Sequence, residues 1–124
     1  MHKLVLIALA GGIGTLARYG LGGLVQQGSG KLFPWGTVAV NLLGCLAFGL
    51  LFSALEERRT MSDQVRTILL VGFMGGFTTF STFMFETRSL IADAQWLPAV
   101  GYFTLHNVGG FTAMVAGMAL GRLL

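Results

Sequence analysis

Residues 71–86, VGFMGGFTTFSTFMFE, set three glycines, four Thr or Ser hydroxyls and five phenylalanines in one of the most apolar parts of the chain. Gly72, Gly75 and Gly76 weaken a helix, and Thr78 and Thr79 follow at once. The expectation is a helix broken near Gly75–Thr79. Interrupted backbone at membrane depth is tolerated only where it is buried in protein or lines a wet cavity. A break frees carbonyl oxygens, which are hard ligands suited to a dehydrated cation. Beyond it, Thr78, Ser81 and Thr82 form a hydroxyl stripe at i, i+3, i+4, and Phe77, Phe80 and Phe83 recur every third residue. Such phenylalanine spacing suits a lipid or core face. It also suits an anion site, because a phenyl ring has a positive edge, and edges turned inward meet an anion without a formal charge.

Other polar residues stand in apolar surroundings, where each is a site candidate by default. Asn41 lies one helical turn from Thr37; it fits either an interhelical hydrogen bond or a pore lining. Tyr102 and His106 lie four apart on one helical face, with Asn107 beside them. His106 has no second His or carboxylate at ligand spacing, so a transition-metal site is not expected. Glu86 is the only acid well inside an apolar run, and it suits either a membrane interface or the interior. Cys45 is the single cysteine, which excludes an intrachain disulfide and a Cys-rich metal site. No Ser–His–acid or Cys–His arrangement and no phosphate-binding loop is present, so the chain does not read as an enzyme.

The elements that must position these residues follow from composition. Of the 124 residues, 54% are hydrophobic and 10% charged, against about a quarter charged in a soluble domain. The mean hydropathy is +0.75. A spanning helix needs ~20 mostly apolar residues, so four spans fit in one compact membrane domain, at 4–25, 35–55, 65–92 and 99–121. No small-residue cleavage site follows the first apolar run, which reads as a span rather than a signal peptide. Trp35 and Trp96 sit beside turns as interfacial anchors. Small residues recur at helical spacing, including the Gly117–Gly121 step, and small faces let membrane helices approach closely. The net charge of +3 is scattered and marks no nucleic-acid surface. With four spans, Lys3, Arg58, Arg59, Arg66 and Arg122 fall on one side, and Lys31, Arg88 and Arg18 on the other. Five against three is a thin margin for the positive-inside rule. It suits either an ordinary protein with cytoplasmic termini or one that inserts both ways.

Three segments, GGIGTLARY in the first span, GTVAVNLLG in the second and GFMGGFTTFSTF in the third, resemble the Fluc (CrcB) fluoride channels in order and spacing. The resemblance covers all four spans, and the third segment is the most specific. It implies an antiparallel, dual-topology homodimer that passively and selectively exports fluoride across the inner membrane of a prokaryote. It further implies two pores and a structural sodium ion at the dimer centre. By motif, the backbone carbonyls of Gly75 and Thr78 would hold the sodium, and Phe80 and Phe83 would offer ring edges to fluoride. Asn41 would line the pore, with Thr37, Ser81, Thr82 and Tyr102 near the permeation path. Arg18 and Glu86 would stand at an interface or vestibule. His106 departs from the family, which is expected to carry a small hydroxyl residue there. The main rival is a small four-helix multidrug/proton exchanger, which needs a carboxylate deep in span one. That span has no Asp or Glu. A structural subunit of a larger membrane complex is a further rival, against which the interrupted third span argues.

Overall fold

The computed structural model of the chain describes residues 1–57 and 61–124. Arg58, Arg59 and Thr60 of the charged loop lie outside the described residues, and with them two of the basic residues counted for orientation. All elements among the described residues are helical. α1 (His2–Ser29) ends on Gly30, whose φ of 86° lies in the left-handed region that glycine adopts without a Cβ penalty. The turn that follows is tied by Gln26. Its Nε2 donates to the carbonyls of Gly30 (2.5 Å) and Phe33 (3.0 Å), and its Oε1 accepts from Gly36 N–H at 3.0 Å. One side chain thereby sets the angle at which α2 (Trp35–Glu57) returns.

The third run opens with α3 (Asp63–Thr67), capped by Ser62. A π-helical stretch (Ile68–Phe73) leads into the single turn α4 (Met74–Phe77). Thr78 and Thr79 are extended, and α5 (Phe80–Ala92) begins after them. α6 (Trp96–Thr104), a second π-helical stretch (Leu105–Gly109) and α7 (Gly110–Gly121) run on without a gap. The helices outrun the expected spans at several ends, because capping and turn residues continue the helix past the apolar window. His2–Ser29, Trp35–Glu56 and Asp63–Ala92 are long and apolar enough to cross a membrane. The fourth run, residues 96–121, carries His106 and Asn107 in its middle and is not among them.

α2 lies along α7, α1 lies against α2, α4 and the first π stretch, and α5 packs on α6. Small residues make these approaches possible. A Cβ at Gly117 would strike the Leu46 carbonyl, one at Gly121 the Leu50 carbonyl, and one at Gly76 the backbone of Gly11. Outward-facing Leu4, Leu9, Leu16, Leu24, Phe111 and Leu120 are exposed, a surface suited to lipid rather than water. Gly117→Val is therefore expected to cost about 1–3 kcal/mol through overpacking. Gly101→Ala, where a Cβ meets nothing within 4 Å, should be neutral or stabilising. Thermal unfolding in detergent would compare the two, and equal melting temperatures would mean that the α2–α7 contact tolerates a wider separation.

Candidate functional site

Thr78 (φ −88°, ψ 158°) and Thr79 (φ −147°, ψ 117°) have strand-like dihedrals between two helices, so their backbone groups need partners from elsewhere. Asn41 of α2 supplies them. Its Nδ2 donates to the Thr79 carbonyl at 2.9 Å, and its Oδ1 accepts from the Thr79 N–H at 2.9 Å. A side-chain amide thus pairs with Thr79 as a neighbouring strand would. Thr78 stays anchored to the preceding turn, its N–H and Oγ1 both donating to the Met74 carbonyl at 3.1 and 3.0 Å. The Thr79 hydroxyl caps α5, accepting from Thr82 N–H at 3.3 Å and donating to the Thr82 hydroxyl at 3.0 Å.

Gly75 and Gly76, where the glycine pattern put the break, are themselves helical. Close packing on α1 explains this: Gly76 needs its bare Cα to meet Gly11, and that contact suits a regular turn. In a continuous helix the Thr79 N–H would bond the Gly75 carbonyl four residues back. It is given to Asn41 instead, so the Gly75 carbonyl lacks its helical donor. Gly75 is exposed, with nothing near a hypothetical Cβ.

Beside Thr79 lies a cavity of about 270 Å³. Asn41, Thr78, Thr79, Phe80, Phe83 and His106 line it, and Gly44, Cys45, Phe48, Asn107 and Met114 complete its wall. No Lys, Arg, Asp or Glu is among these residues. Phe80 and Phe83 meet edge to face, their centroids 5.7 Å apart and planes 65° apart. Phe83 is 3% exposed and Phe80 73%. Phe77 does not join them; it stacks on Phe73 at 5.9 Å, because the two extended residues reset the helical register. Gly44 makes room for the break, since a Cβ there would meet the Thr78 methyl and the Phe77 ring.

A second cavity, about 360 Å³, brings Arg18 of α1 together with Thr15, Thr37, Thr79 and Thr82. Ser81 is exposed and lines neither cavity. Glu86 is half-buried and joins three helices: its Oε1 accepts from the Thr37 hydroxyl at 3.1 Å and its Oε2 from the Tyr102 hydroxyl at 2.5 Å. Tyr102 is fully buried. Thr37 and Tyr102, expected near a permeation path, therefore meet in this carboxylate cluster, outside the Phe80/Phe83 cavity. Cys45 and Phe48 were not anticipated as lining. Their spacing from Asn41, four and seven residues along one helical face, is the signal that finds them.

Aromatic rings and a side-chain amide thus meet at an uncharged cavity, and the bend beside it leaves the Gly75 carbonyl without its helical donor. A family model described as CrcB-like protein, Camphor Resistance (CrcB), matches residues 5–118. A protein of Desulforapulum autotrophicum named fluoride-specific ion channel FluC is 51% identical over 123 residues, which cover 99% of this chain and 98% of that one. Proteins of the same name from Solidesulfovibrio magneticus and Chloroflexus aurantiacus are 51% and 47% identical. They cover 100% and 98% of this chain, and 99% and 97% of their own lengths. With the family model spanning nearly the whole sequence and relatives this similar along their full lengths, the chain belongs to the CrcB-like protein family.

Proposed function

We propose that the chain is a passive, fluoride-selective channel that spans the inner membrane of a prokaryote four times and lets fluoride leave the cytoplasm. It works as an antiparallel, dual-topology homodimer with a structural sodium ion at its centre. Family membership and the relatives named as fluoride channels support the ion. The observation that carries the reading is the uncharged cavity in which the Asn41 amide, the Thr78–Thr79 bend and the Phe80–Phe83 pair meet. A permeating anion must be held well enough to enter and weakly enough to leave. Ring edges and neutral hydrogen-bond donors meet that condition, whereas a buried lysine or arginine would trap the ion.

Arg18 stands with Thr82 and Thr37 at the second cavity, where its charge raises the local concentration of anions before they reach the uncharged stretch. Thr82 supplies an exposed hydroxyl at the second cavity, and Ser81, exposed one residue before it, lines neither cavity in a single copy. The hydroxyls of Thr37 and Tyr102 hold the Glu86 carboxylate, which keeps its negative charge engaged beside the path. Phe80, 73% exposed on one copy, and the open side of Gly75 are surfaces that a second copy would cover. The chain also fits a sodium ion. The Gly75 carbonyl lacks its helical donor, the extended Thr78 turns its own carbonyl away from the helix axis, and carbonyl oxygens suit a hard monovalent cation. These two oxygens from each copy would hold it, and it would offset some of the cost of an anion in low dielectric. A drug/proton exchanger is not favoured, because α1 holds no carboxylate.

Fluoride efflux from liposomes holding only the purified protein tests the reading, and no leak above that of empty vesicles would end it. The same assay separates chemistry from packing at the rings. Phe83→Leu and Phe80→Leu should each lower flux by about tenfold or more, since leucine lacks the aromatic quadrupole. The cost in stability should stay around 1 kcal/mol for a swap of similar bulk. Wild-type flux in both folded variants would return these residues to a packing role.

A further inference from the structure

We propose that Asn107 is a second carboxamide ligand for the anion in the Phe80/Phe83 cavity: one Nδ2 hydrogen is held by its own helix, and the other is donated to fluoride. The proposal rests on the fluoride-channel reading and adds a residue of the fourth run to that site.

Few side-chain hydrogens in the cavity wall are free to meet an anion. The Thr78 hydroxyl donates to the Met74 carbonyl and the Thr79 hydroxyl to that of Thr82. His106 turns Nδ1 to the Tyr102 carbonyl at 3.0 Å, and its Nε2 is buried. Gly44, Phe48, Phe80, Phe83 and Met114 have no polar side-chain hydrogen. Cys45 offers a thiol, which is a weak donor. There remain two carboxamides, Asn41 of α2 and Asn107 of the fourth run. A carboxamide nitrogen carries two hydrogens. Asn41 gives one to the Thr79 carbonyl at 2.9 Å, and Asn107 gives one to the Phe103 carbonyl at 2.8 Å. Each keeps a second. A carbonyl only accepts, so the Asn107 atom that meets Phe103 is its nitrogen and not its oxygen.

Asn107 is exposed, so its amide is open to an ion in a way that the buried His106 Nε2 is not. It lies in the second π-helical stretch, and irregular turns of this kind are frequent at functional sites. A polar side chain half-way along an apolar run is costly in lipid unless something engages it. A neutral amide suits a permeating ion, because its bond to an anion is charge-assisted from one side only and leaves no opposite charge to trap the ion. The competing role is local: the amide only satisfies the Phe103 carbonyl. Elsewhere in the chain hydroxyls do that work. Thr87, Ser89 and Thr112 each donate their single hydrogen to the carbonyl four residues back, at 2.8, 3.0 and 2.8 Å. Asn107→Ser therefore keeps the bond to Phe103 and removes only the free hydrogen.

That substitution and the asparagine count make the test. The chain has two asparagines, so ¹⁵N in asparagine side chains gives two amide pairs by NMR. Loss of one pair in Asn107→Ser, or in Asn107→Gln if the first variant does not fold, assigns them. The wild type in lipid nanodiscs is titrated with sodium fluoride and with sodium gluconate. In each pair one proton resonance should move downfield with fluoride alone, while its partner, held by the Thr79 or Phe103 carbonyl, stays. In liposomes Asn107→Ser should raise the half-saturating fluoride concentration for flux about tenfold, the worth of one hydrogen bond to a charged group, with an unchanged melting temperature. An Asn107 pair that fluoride does not move, or wild-type half-saturation in folded Asn107→Ser, overturns the proposal and leaves Asn107 as a cap on the Phe103 carbonyl. Wild-type flux with an unmoved Asn107 pair sinks this inference alone. A fluoride-dependent Asn107 shift without wild-type flux supports the anion site and sinks the channel reading alone.

Discussion

Asn41→Leu is expected to lower fluoride flux by about a hundredfold and to cost roughly 2–4 kcal/mol of stability, from two stranded, partly buried backbone groups. Leucine matches asparagine in bulk but can neither accept from the Thr79 N–H nor donate to its carbonyl, bonds now 2.9 Å long on both sides. The bend then has two ways to respond. It can leave both groups unpaired, or it can close into a helix in which Thr79 N–H returns to the Gly75 carbonyl. The second response would swing Phe80 and Phe83 to a new register, carrying the rings away from the cavity they line. Either way the flux falls. The measurements are liposome flux, size-exclusion behaviour and thermal unfolding of the same preparation. A variant with wild-type flux and melting temperature would show that the extended backbone needs no amide partner.

How much of this was legible beforehand depends on whether a feature is local. Phe80 and Phe83 share a face by spacing, and the Thr79 cap on α5 lies three residues from its Thr82 partner. Both follow from residues close in sequence. The glycines of the third run pointed to weakened helix, yet Gly75 and Gly76 are helical and the extended residues are Thr78 and Thr79. Helix propensity alone could not separate these cases. Gly76 is held in a regular turn by the α1 backbone, whereas Thr79 is drawn out by an amide 38 positions away in the chain. Asn41 stood out as a polar residue in an apolar helix, but its partner was not readable. Glu86 left an interface and the interior equally open, until Thr37 and Tyr102 supplied hydroxyls from two other helices. Phe77 has the right spacing for the aromatic stripe and is separated from it only by the bend. In each case the missing information is a contact between helices, which spacing along one helix does not encode.

The amide that takes the Thr79 N–H also bears on the cation. Because that donor is committed to Asn41, the Gly75 carbonyl is left without its helical partner on an exposed face of the chain. Orphaned carbonyls in a membrane protein are costly unless met by a donor, a water or a cation. Two antiparallel copies related by a two-fold axis would bring two Gly75 and two Thr78 oxygens together. Such a shell suits Na⁺ and calls for no carboxylate. Replacing all Na⁺ by a bulky organic cation on both sides of the membrane, long enough to empty the proposed site, should lower fluoride flux by about tenfold or more, because four carbonyl oxygens would then face one another with no cation between them. The detergent-solubilised protein should also melt at a lower temperature without Na⁺. At a hundred times the dissociation constant a bound ion contributes about 2.7 kcal/mol, and this readout does not depend on conduction. Thr78→Ser keeps the backbone oxygen and should keep both effects. Asn41→Leu, if its bend closes, returns the Thr79 donor to Gly75 and should melt at the same temperature with and without Na⁺. Flux and melting that ignore Na⁺ in the wild type would mean that these carbonyls find their partners in water or in the facing helix, and that the bend serves only to aim Phe80 and Phe83.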